Sequence, residues 1–527
     1  MMRHVDVLII GAGLSGIGMA CHLTREKTGR SYAILERRSA IGGTWDLFRY
    51  PGIRSDSDMY TFGYGFRPWH GTKVLADGPH IQQYIEETAA EYGVAKHIRF
   101  GRKVTTARWS STTSTWTVEA LDERTGETEI YTSDFLVGCT GYYDYDNGYR
   151  PRFPGEESFG GRIVHPQHWP DDLDYTGKRV VVIGSGATAI TLIPAMSDAA
   201  AHVTMLQRSP TYIAALPADD PVAVGMKLAK VPTRVVYRMG RARNIALQRA
   251  SFQLSRTNPE AAKKLLLGAV RMQVGSDIDM RHFTPSYNPW DQRLCVVPNG
   301  DLFKVLRSGK ASIVTDRIET FTETGIRLVS GAELPADLVI SATGLSVQML
   351  GGMSLEIDGE AVVTCDRVVY KGAMLDGVPN AMMVLGYTNA SWTLKADLAA
   401  EYFCRLLNHM KANGFSRVEA IARDGDRGQD SVMGGALTSG YIQRGDAVMP
   451  RQGTNGPWQV INNYFRDRKL LRKGALEDGV LTFARAENLP TTRCREVMAC
   501  RSAYAPSRTA RGAAAPGVDP GTPSRAL

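Results

Sequence analysis

The stretch Val5-Asp6-Val7-Leu8-Ile9-Ile10-Gly11-Ala12-Gly13-Leu14-Ser15-Gly16 decides the fold. An apolar run ends there in Gly-x-Gly-x-x-Gly, and the apolar residues from Ile17 to Leu23 predict the start of a helix. Gly11 permits a tight turn, Gly13 lets the backbone approach a pyrophosphate, and Gly16 lets helix and strand pack closely. The free N–H groups at the helix N-terminus then face the phosphates. This strand, turn and helix predict a dinucleotide-binding domain.

An acidic residue stands where such a domain needs one. The next predicted strand, Tyr32 to Leu35, ends at Glu36, twenty residues after Gly16. A carboxylate in this place accepts hydrogen bonds from ribose hydroxyls and repels a 2′-phosphate. The alternative is a glycine-rich turn without a ligand, and the strand, the helix and the acid together argue against it.

The glycine pattern recurs at Gly184-Ser185-Gly186-Ala187-Thr188-Ala189, after the apolar run Arg179 to Ile183. The fingerprint tolerates alanine in its third place. The following strand, His202 to Leu206, ends in Gln207-Arg208 without an acid. Because a guanidinium pairs with phosphate oxygens in a fork, Arg208 suits the 2′-phosphate of NADPH. The alternative is that Arg208 is one more exposed arginine.

Two apolar runs that end in small residues, Phe135 to Gly141 and Ile340 to Gly344, indicate a discontinuous first domain with the second inserted in it. The predicted fold class is α/β, with two Rossmann-like dinucleotide-binding domains and a helical insert. The first domain is predicted at 1–145 and 337–487, and the second domain at 176–217 and 281–336. A linker is predicted at 146–175, the helical insert at 218–280 and a disordered tail at 488–527. The tail is predicted from its Ala, Arg, Pro, Ser, Thr and Gly composition.

Length and composition narrow the class of protein. A chain of 527 residues is too long for one core, and 43% hydrophobic with 22% charged residues suits a globular protein. The seven cysteines are scattered without a C-x-x-C pair, so neither a disulfide framework nor a metal site is predicted. A reducing cytoplasm is the expected location.

The net charge of +8 is concentrated in two segments. Residues 221–250 hold seven basic residues and no acid, and residues 488–527 hold six arginines against two acids. The remainder is slightly acidic, so a nucleic-acid partner is not expected.

The basic segment 221–250 has apolar residues at helical spacing, among them Val224, Leu228, Val231 and Val235. A membrane-surface helix is one interpretation, which leaves a peripheral membrane association open. A helical subdomain that covers the substrate cleft with a solvated basic face is favoured, because Pro232 interrupts a single long helix. The sequence leaves the oligomeric state open.

Between the two glycine motifs lies Phe159-x-Gly161-x-x-x-His165-x-x-x-Trp169-Pro170. Together with those motifs, this stretch resembles the fingerprint of the Baeyer–Villiger monooxygenases. The resemblance runs from about Val5 to about Phe483, and it is nearest to the mycobacterial members that S-oxygenate thioamides. It implies FAD in the first site, NADPH in the second and O2 as co-substrate.

The resemblance also implies roles for single residues. FAD contacts are implied for Ser15, Glu36, Gly43, Thr44, Trp45, Asp46, Leu47 and the backbone of Val104. The loop Tyr50 to Asp56, with Arg54 and Ser55, is implied to approach the flavin and the nicotinamide. Without the resemblance it would be interpreted as a surface turn with a solvated Arg54–Asp56 pair.

In the segment Asp291-Gln292-Arg293 the resemblance implies that Arg293 is the catalytic arginine and that Asp56 tunes it. Arginine is apt there because it is permanently charged and stabilises an oxyanion. Without the resemblance, Arg293 beside Asp291 would be a surface ion pair. His165 and Trp169 are implied to position the domains, and His165 is not expected to transfer protons.

The implied reaction is reduction of FAD by NADPH, addition of O2 to give a C4a-peroxyflavin, and conversion of a ketone to an ester or lactone. Thioamides and thioethers would be S-oxygenated. A disulfide reductase would need a redox cysteine pair, which the sequence lacks. Two alternatives stay open: a flavin-containing N- or S-monooxygenase without Baeyer–Villiger activity, and a non-catalytic nucleotide-binding protein at a membrane surface.

Overall fold

The computed structural model describes residues 3–434 and 437–485. The predicted tail, 488–527, lies outside the described residues. Within them the α-helices are α1 Leu14–Arg25, α2 Thr44–Leu47, α3 Met59–Phe62, α4 Gly78–Glu91, α5 Ala187–Met196, α6 Pro221–Leu228, α7 Thr233–Thr257, α8 Pro259–Val274, α9 Asp301–Arg307, α10 Trp392–Asn413, α11 Gly440–Gly445 and α12 Tyr464–Lys473. None of these helices combines the length and the apolar character needed to cross a bilayer.

A large mixed sheet is built around the strand Arg3–Ile10, whose residues Val7 to Ile10 are buried. That strand runs parallel to both of its neighbours, Thr128–Gly138 and Tyr32–Glu36. In spatial order the strands are Glu360–Ala361, Ser354–Ile357, Arg102–Ser110, Thr115–Asp122, Thr128–Gly138, Arg3–Ile10, Tyr32–Glu36 and Ile98–Phe100, with Ala381–Met383 also paired to Thr128–Gly138. Parallel pairing places the ends of Arg3–Ile10 and Tyr32–Glu36 at one edge, where Gly11 and Glu36 meet.

A second, fully parallel sheet surrounds Arg179–Ile183, the strand that the sequence predicts with the same bounds. In spatial order it contains Ala311–Thr315, His202–Gln207, Arg179–Ile183, Leu338–Ser341 and Arg162–Val164. Two of these strands fall outside the segments predicted for the second domain. Leu338–Ser341 pairs with Arg179–Ile183, and Arg162–Val164, from the predicted linker, pairs with Leu338–Ser341.

Short ribbons complete the fold. They are Ile213–Leu216 with Cys295–Pro298; Ile318–Thr322, Gly325–Leu328 and Glu333–Pro335; Tyr143–Gly148 with Leu345–Val347; Val369–Tyr370 with Met374–Leu375; Arg417–Ala420 with Leu481–Ala484; and Arg427–Ser431 with Arg451–Gly453. The chain passes from the first sheet to the second through Tyr143–Gly148 and returns through Leu345–Val347, and these two crossings pair antiparallel. We call this pair the crossing ribbon.

The predicted helical insert consists of α6, α7 and α8. Pro232 lies immediately before α7 and separates it from α6, as the sequence predicts. Arg241 connects the insert to the segment around α3 and to α10. Arg241 on α7 donates to the carbonyl oxygens of Tyr60 and Gly63 and pairs with buried Asp397 on α10.

Candidate active site

An open cleft with about 1420 Å³ of empty space lies at the edge where Gly11 and Glu36 meet. Residues from widely separated segments line it. Those that the sequence analysis singled out are Gly11, Gly13, Ser15, Glu36, Gly43, Thr44, Trp45, Ser55, Asp56, Val104 and Arg293. Tertiary structure therefore gathers most of the predicted first site around one space.

The start of α1 has the form that a pyrophosphate needs. Gly13 precedes the helix, and among the described residues no side chain caps its first N–H groups, which are therefore available to a ligand. Gly16 lies behind this turn, where a side chain would collide with the carbonyl oxygen of Gly11. Glycine at this position therefore serves the close contact of helix and strand that the motif predicts.

The carboxylate of Glu36 is fixed and buried at the end of its strand. Oε2 accepts a hydrogen bond from the N–H of Ala12 at 2.6 Å, and Oε1 accepts one from the N–H of Arg38 at 2.7 Å. Burial raises the pKa of Glu36, although the two amides oppose this shift. Glu36 lines the cleft and each of its oxygens accepts one of these bonds, so a carboxylate able to accept further bonds from ribose hydroxyls stands at this edge.

The segment 44–47 is only partly in the cleft. Thr44 Oγ1 lies 3.3 Å from the hydroxyl of Tyr145, and both residues line the space. The Asp46 carboxylate is buried and pairs with Arg38 and Arg49. Leu47 packs into the core of the second sheet. Asp46 and Leu47 could reach a cofactor only through their backbone.

The loop Tyr50 to Asp56 packs against α5 and α9. A Cβ at Gly52 would lie 2.7 Å from the Cβ of Ala195 on α5. Arg54 forms a forked pair with Asp301 on α9, with N–O distances of 2.6 and 3.4 Å. The solvated Arg54–Asp56 pair considered above is therefore not formed, and of the two residues only Asp56 lines the cleft.

Arg293 lines the cleft and makes only long contacts with its polar neighbours there. Its Nη1 lies 3.8 Å from Asp56 Oδ2, and its Nη2 donates to the Tyr142 hydroxyl at 3.4 Å. Tyr142, and after it Tyr441 and Asp56, raise the pKa of the Arg293 guanidinium against the effect of burial. Asp291 pairs instead with Arg256 at 2.8 Å. Arg293 is therefore a charged cleft residue and not the partner of Asp291.

Several aromatic residues of the cleft, among them Tyr142, Tyr143 and Trp392, were not predicted from the sequence. The hydroxyls of Tyr142 and Tyr143 lie 2.9 Å apart, and the Tyr142 ring stacks on Trp392 at 5.5 Å. Trp392 in turn donates from Nε1 to Ser15 Oγ at 2.8 Å. The run Tyr142-Tyr143-Asp144-Tyr145 directly after a buried strand was the available signal, because a parallel strand's carboxyl end faces the site.

The second glycine motif also has an open helix start. Within the described part of the chain, no side chain caps α5 at Gly186 and no atom lies within 4 Å of a Cβ added to Gly186. Gly184 has φ +136°, and a side chain there would collide with the Ala342 carbonyl. Ser185 Oγ donates to the Ser209 carbonyl at 3.0 Å, Thr188 lies beside the Tyr50 hydroxyl, and Ala189 is buried. Ala187 begins α5.

At the end of the strand His202–Gln207, the two residues predicted to contact a nucleotide, Gln207 and Arg208, differ in burial. The buried Gln207 amide donates to the His282 carbonyl and to Thr315 Oγ1, both at 2.8 Å. Arg208 is exposed and makes no ion pair with any residue that the structure describes. Of the two side chains, Arg208 is free to bind a phosphate.

The fingerprint stretch supports the crossing ribbon. His165 Nε2–H donates to the Gly344 carbonyl at 3.2 Å, and its Nδ1 accepts the Gln167 N–H at 3.3 Å. Both ring nitrogens are therefore used by the neutral form, and burial lowers the pKa of His165. Trp169 packs against the second sheet's core, and Phe159 packs edge-on against Phe321. Gly161 leaves no room for a side chain between Phe159 and the Asp337 carbonyl.

Comparison with known proteins places the chain. The flavin-binding monooxygenase-like family model matches residues 72–351, and an NAD(P)-binding Rossmann-like domain model matches residues 9–88. The chain belongs to the flavin-binding monooxygenase-like family. Its predicted family and its α/β fold class with a Rossmann-like dinucleotide domain are thereby confirmed.

Two relatives from Mycobacterium tuberculosis are similar over almost their whole length. MymA is 57% identical over 493 residues, which are 92% of this chain and 99% of MymA. The FAD-containing monooxygenase EthA is 51% identical over 488 residues, 92% of this chain and 99% of EthA. Among solved structures, an oxidised steroid monooxygenase bound to NADP matches with a TM-score of 0.72 at 24% identity, covering 92% of this chain and 100% of that one. This last similarity concerns the fold alone.

Proposed function

We propose that this flavin monooxygenase is of the Baeyer–Villiger type, uses NADPH and O2, and converts ketones to esters or lactones. The observation that carries this proposal is the position of Arg293. Its permanent cation lines the same cleft as Gly13, Glu36 and Asp56. A permanent cation aimed at the place where negative charge develops on an oxygen stabilises that charge.

FAD is the cofactor whose parts fit the cleft. The N-terminus of α1 would hold the pyrophosphate, Glu36 the ribose and the backbone of Val104 the adenine. When bound, the flavin supplies electron transfer from the reduced nicotinamide to O2. The chain's own residues would orient this group, since Thr44 and Tyr145 line the cleft in contact with each other and Trp392 donates to Ser15.

NADPH is proposed for the second site. The uncapped start of α5 at Gly186 suits a pyrophosphate, and exposed Arg208 suits a 2′-phosphate. The residues around the first sheet would form the FAD-binding domain and those around the second sheet the NADPH-binding domain. The loop Tyr50 to Asp56 has contacts on both sides, since the Ser55 N–H donates to the Ala76 carbonyl and Arg54 pairs with Asp301, and this loop would approach both cofactors.

Arg293 would hold the oxygen that reacts. Its contacts to Asp56 and Tyr142 are long, at 3.8 and 3.4 Å, so the guanidinium keeps strong donors for an anionic oxygen. The Arg293 charge would stabilise the anionic oxygen in the same way when the group that receives the oxygen is the sulfur of a thioamide or thioether. We therefore propose ketones and such sulfur compounds as the substrate classes.

The test is product analysis with the purified full-length protein. FAD content is read from the absorbance spectrum, NADPH consumption is followed with panels of ketones and thioethers, and products are identified by mass spectrometry. Esters or lactones support the proposal. Sulfoxides or N-oxides without any ester would favour the N- or S-monooxygenase instead, and a protein that never binds FAD would leave only a non-catalytic nucleotide-binding role.

The cofactor preference has its own test. Arg208→Ala should raise the KM for NADPH by about tenfold or more and leave that for NADH nearly unchanged, because one charge-assisted phosphate pair is lost. Arg327→Ala, which removes an exposed arginine from the strand Gly325–Leu328, is the matched control. Equal changes for both nucleotides would remove Arg208 from the 2′-phosphate site.

A further inference from the structure

The helical insert exposes an unusual share of the molecule's apolar side chains. The described residues expose fifteen large apolar side chains, and nine of them lie in the short stretch from 216 to 272. Leu228 and Met272 are each 80% exposed. A concentration of this kind on a soluble surface marks a site of interaction.

Helix α7 is apolar on both of its sides. Its inner side is covered, since Val236 and Tyr237 pack with Tyr60. The other side of its first turns carries exposed Val235 and Met239, and exposed Ala242 and Ala246 continue this row at helical spacing. A surface helix that packs on one side only would carry polar residues on the other.

The exposed apolar residues stand beside unpaired cations. Lys230, Arg234 and Arg238 are exposed and form no ion pair within the part of the chain that the structure describes. Two other arginines of α7 have partners within the chain, because Arg241 donates to the Tyr60 and Gly63 carbonyls and Arg243 pairs with Asp220. The segment 221–250 contains no acid that could neutralise the free cations.

Six of these residues surround the α6–α7 turn, and we call them the α6–α7 face. They are Leu228, Lys230, Arg234, Val235, Arg238 and Met239. On the first two turns of α7, Arg234 and Arg238 are four residues apart, and so are Val235 and Met239. The two pairs therefore lie next to each other on one side of that helix. Apolar and cationic groups therefore share one surface.

We propose that the α6–α7 face docks on the surface of an anionic lipid bilayer. Apolar side chains of an interfacial helix enter the boundary of the acyl chains, while lysine and arginine heads stay with the phosphates. Anionic head groups supply the countercharge that the chain lacks here. A second copy of the same face would bring cations against cations, and the residues 488–527, with six arginines against two acids, carry the same sign.

Sedimentation with sucrose-loaded vesicles tests the proposal on the full-length FAD-loaded protein. One set of vesicles is phosphatidylcholine alone, and the other is phosphatidylcholine mixed with phosphatidylglycerol. We expect binding to the mixed vesicles, little binding to the neutral ones, and weaker binding at high salt because the attraction is screened.

A pair of double variants locates the surface. Arg238→Gln with Met239→Ser should weaken binding to the mixed vesicles by roughly tenfold, since one charge and one inserted side chain are lost. Arg327→Gln with Val329→Ser is the control, because Val329 is 63% exposed and Met239 is 56% exposed. FAD absorbance and the thermal midpoint verify that both variants fold.

Three results would overturn the proposal. The protein could fail to sediment with either kind of vesicle, or the control variant could lose as much binding as the α6–α7 variant. Alternatively, light scattering could show that the α6–α7 variant converts a dimer to a monomer while vesicle binding is absent. In that last case the α6–α7 face is a contact between two copies of the chain.

Discussion

Arg293 is held in the cleft by two neighbours that differ in charge. Asp56 lies 3.8 Å away, beyond direct hydrogen-bond distance, and the Tyr142 hydroxyl accepts a weak bond at 3.4 Å. Neither contact is the short forked pair that Arg54 makes with Asp301. Arg54 is therefore held in a structural ion pair, whereas the longer contacts of Arg293 support its proposed role in binding an anionic oxygen.

Arg293→Ala should retain FAD and be reduced by NADPH at a comparable rate without air, because hydride transfer creates no oxyanion. Formation of the oxygenated product should fall about a hundredfold, the usual cost of removing one preorganised charge-stabilising donor. Stopped-flow absorbance and product analysis separate the two steps. Arg293→Lys should recover little, since an ammonium lacks the planar fork. Unchanged product formation in the alanine variant would remove Arg293 from the reaction.

Tyr142 is expected to act through Arg293 as a positioning residue. Tyr142→Phe keeps the ring stacked on Trp392 but removes the hydroxyl, so product formation should fall about tenfold, the cost of one bond to a charged group. Tyr212→Phe, which removes a buried hydroxyl that donates to the Tyr287 carbonyl, is the control.

A double-mutant cycle separates positioning from general damage. The effect of Tyr142→Phe on product formation should vanish when Arg293 is already alanine, because the two residues then no longer interact. The free energy of unfolding of the same four proteins provides a second measurement that does not depend on activity. Additive effects in both measurements would contradict a link between Tyr142 and Arg293.

At the scale of elements, the crossing ribbon is the covalent connection by which the chain passes between the two sheets and returns. Its strands Tyr143–Gly148 and Leu345–Val347 carry the chain in both directions, and His165 donates to Gly344 beside them. Burial favours the neutral imidazole, which uses one nitrogen as donor and the other as acceptor. A proton on Nδ1 would abolish the bond from Gln167, so protonation and the ribbon's geometry are linked.

The pH dependence of stability tests this link. The pKa of His165 lies below 6.5 in the folded protein, so the unfolded chain binds the proton first as the pH falls. The free energy of unfolding should therefore decrease below pH 6.5, and it should decrease less steeply in His165→Gln. Denaturant titrations at several pH values measure the slope, with surface His70→Gln as control. Identical slopes for all three proteins would refute the role of His165.

At the scale of the whole molecule, the loop Tyr50 to Asp56 and the insert tie the two sheets together. Arg54 reaches Asp301 across 247 residues of sequence, and Arg241 reaches Asp397 across 156. The segment 488–527 has no core-forming pattern, and the resemblance ends at about Phe483.

Removal of residues 488–527 should therefore leave the oxygenase active. We expect the truncated protein to keep its FAD, its thermal midpoint within a few degrees and its specific activity, because the segment offers too few apolar residues for a core. Differential scanning fluorimetry and NADPH consumption compare it with the full chain. A large loss of either stability or activity would show that the segment is part of the fold.

The sequence by itself determined the two dinucleotide motifs, the acid at Glu36, the arginine at Arg208, the break at Pro232 and the family. These depend on residues that are close along the chain, where a strand, a turn and a helix start are set by local geometry. Tertiary structure decided the rest. Arg54 pairs with Asp301 and not with Asp56, Leu338–Ser341 joins the second sheet, and α7 turns apolar residues outward. Long-range pairing and the choice of which helix face is covered depend on packing between distant segments, which no local pattern encodes.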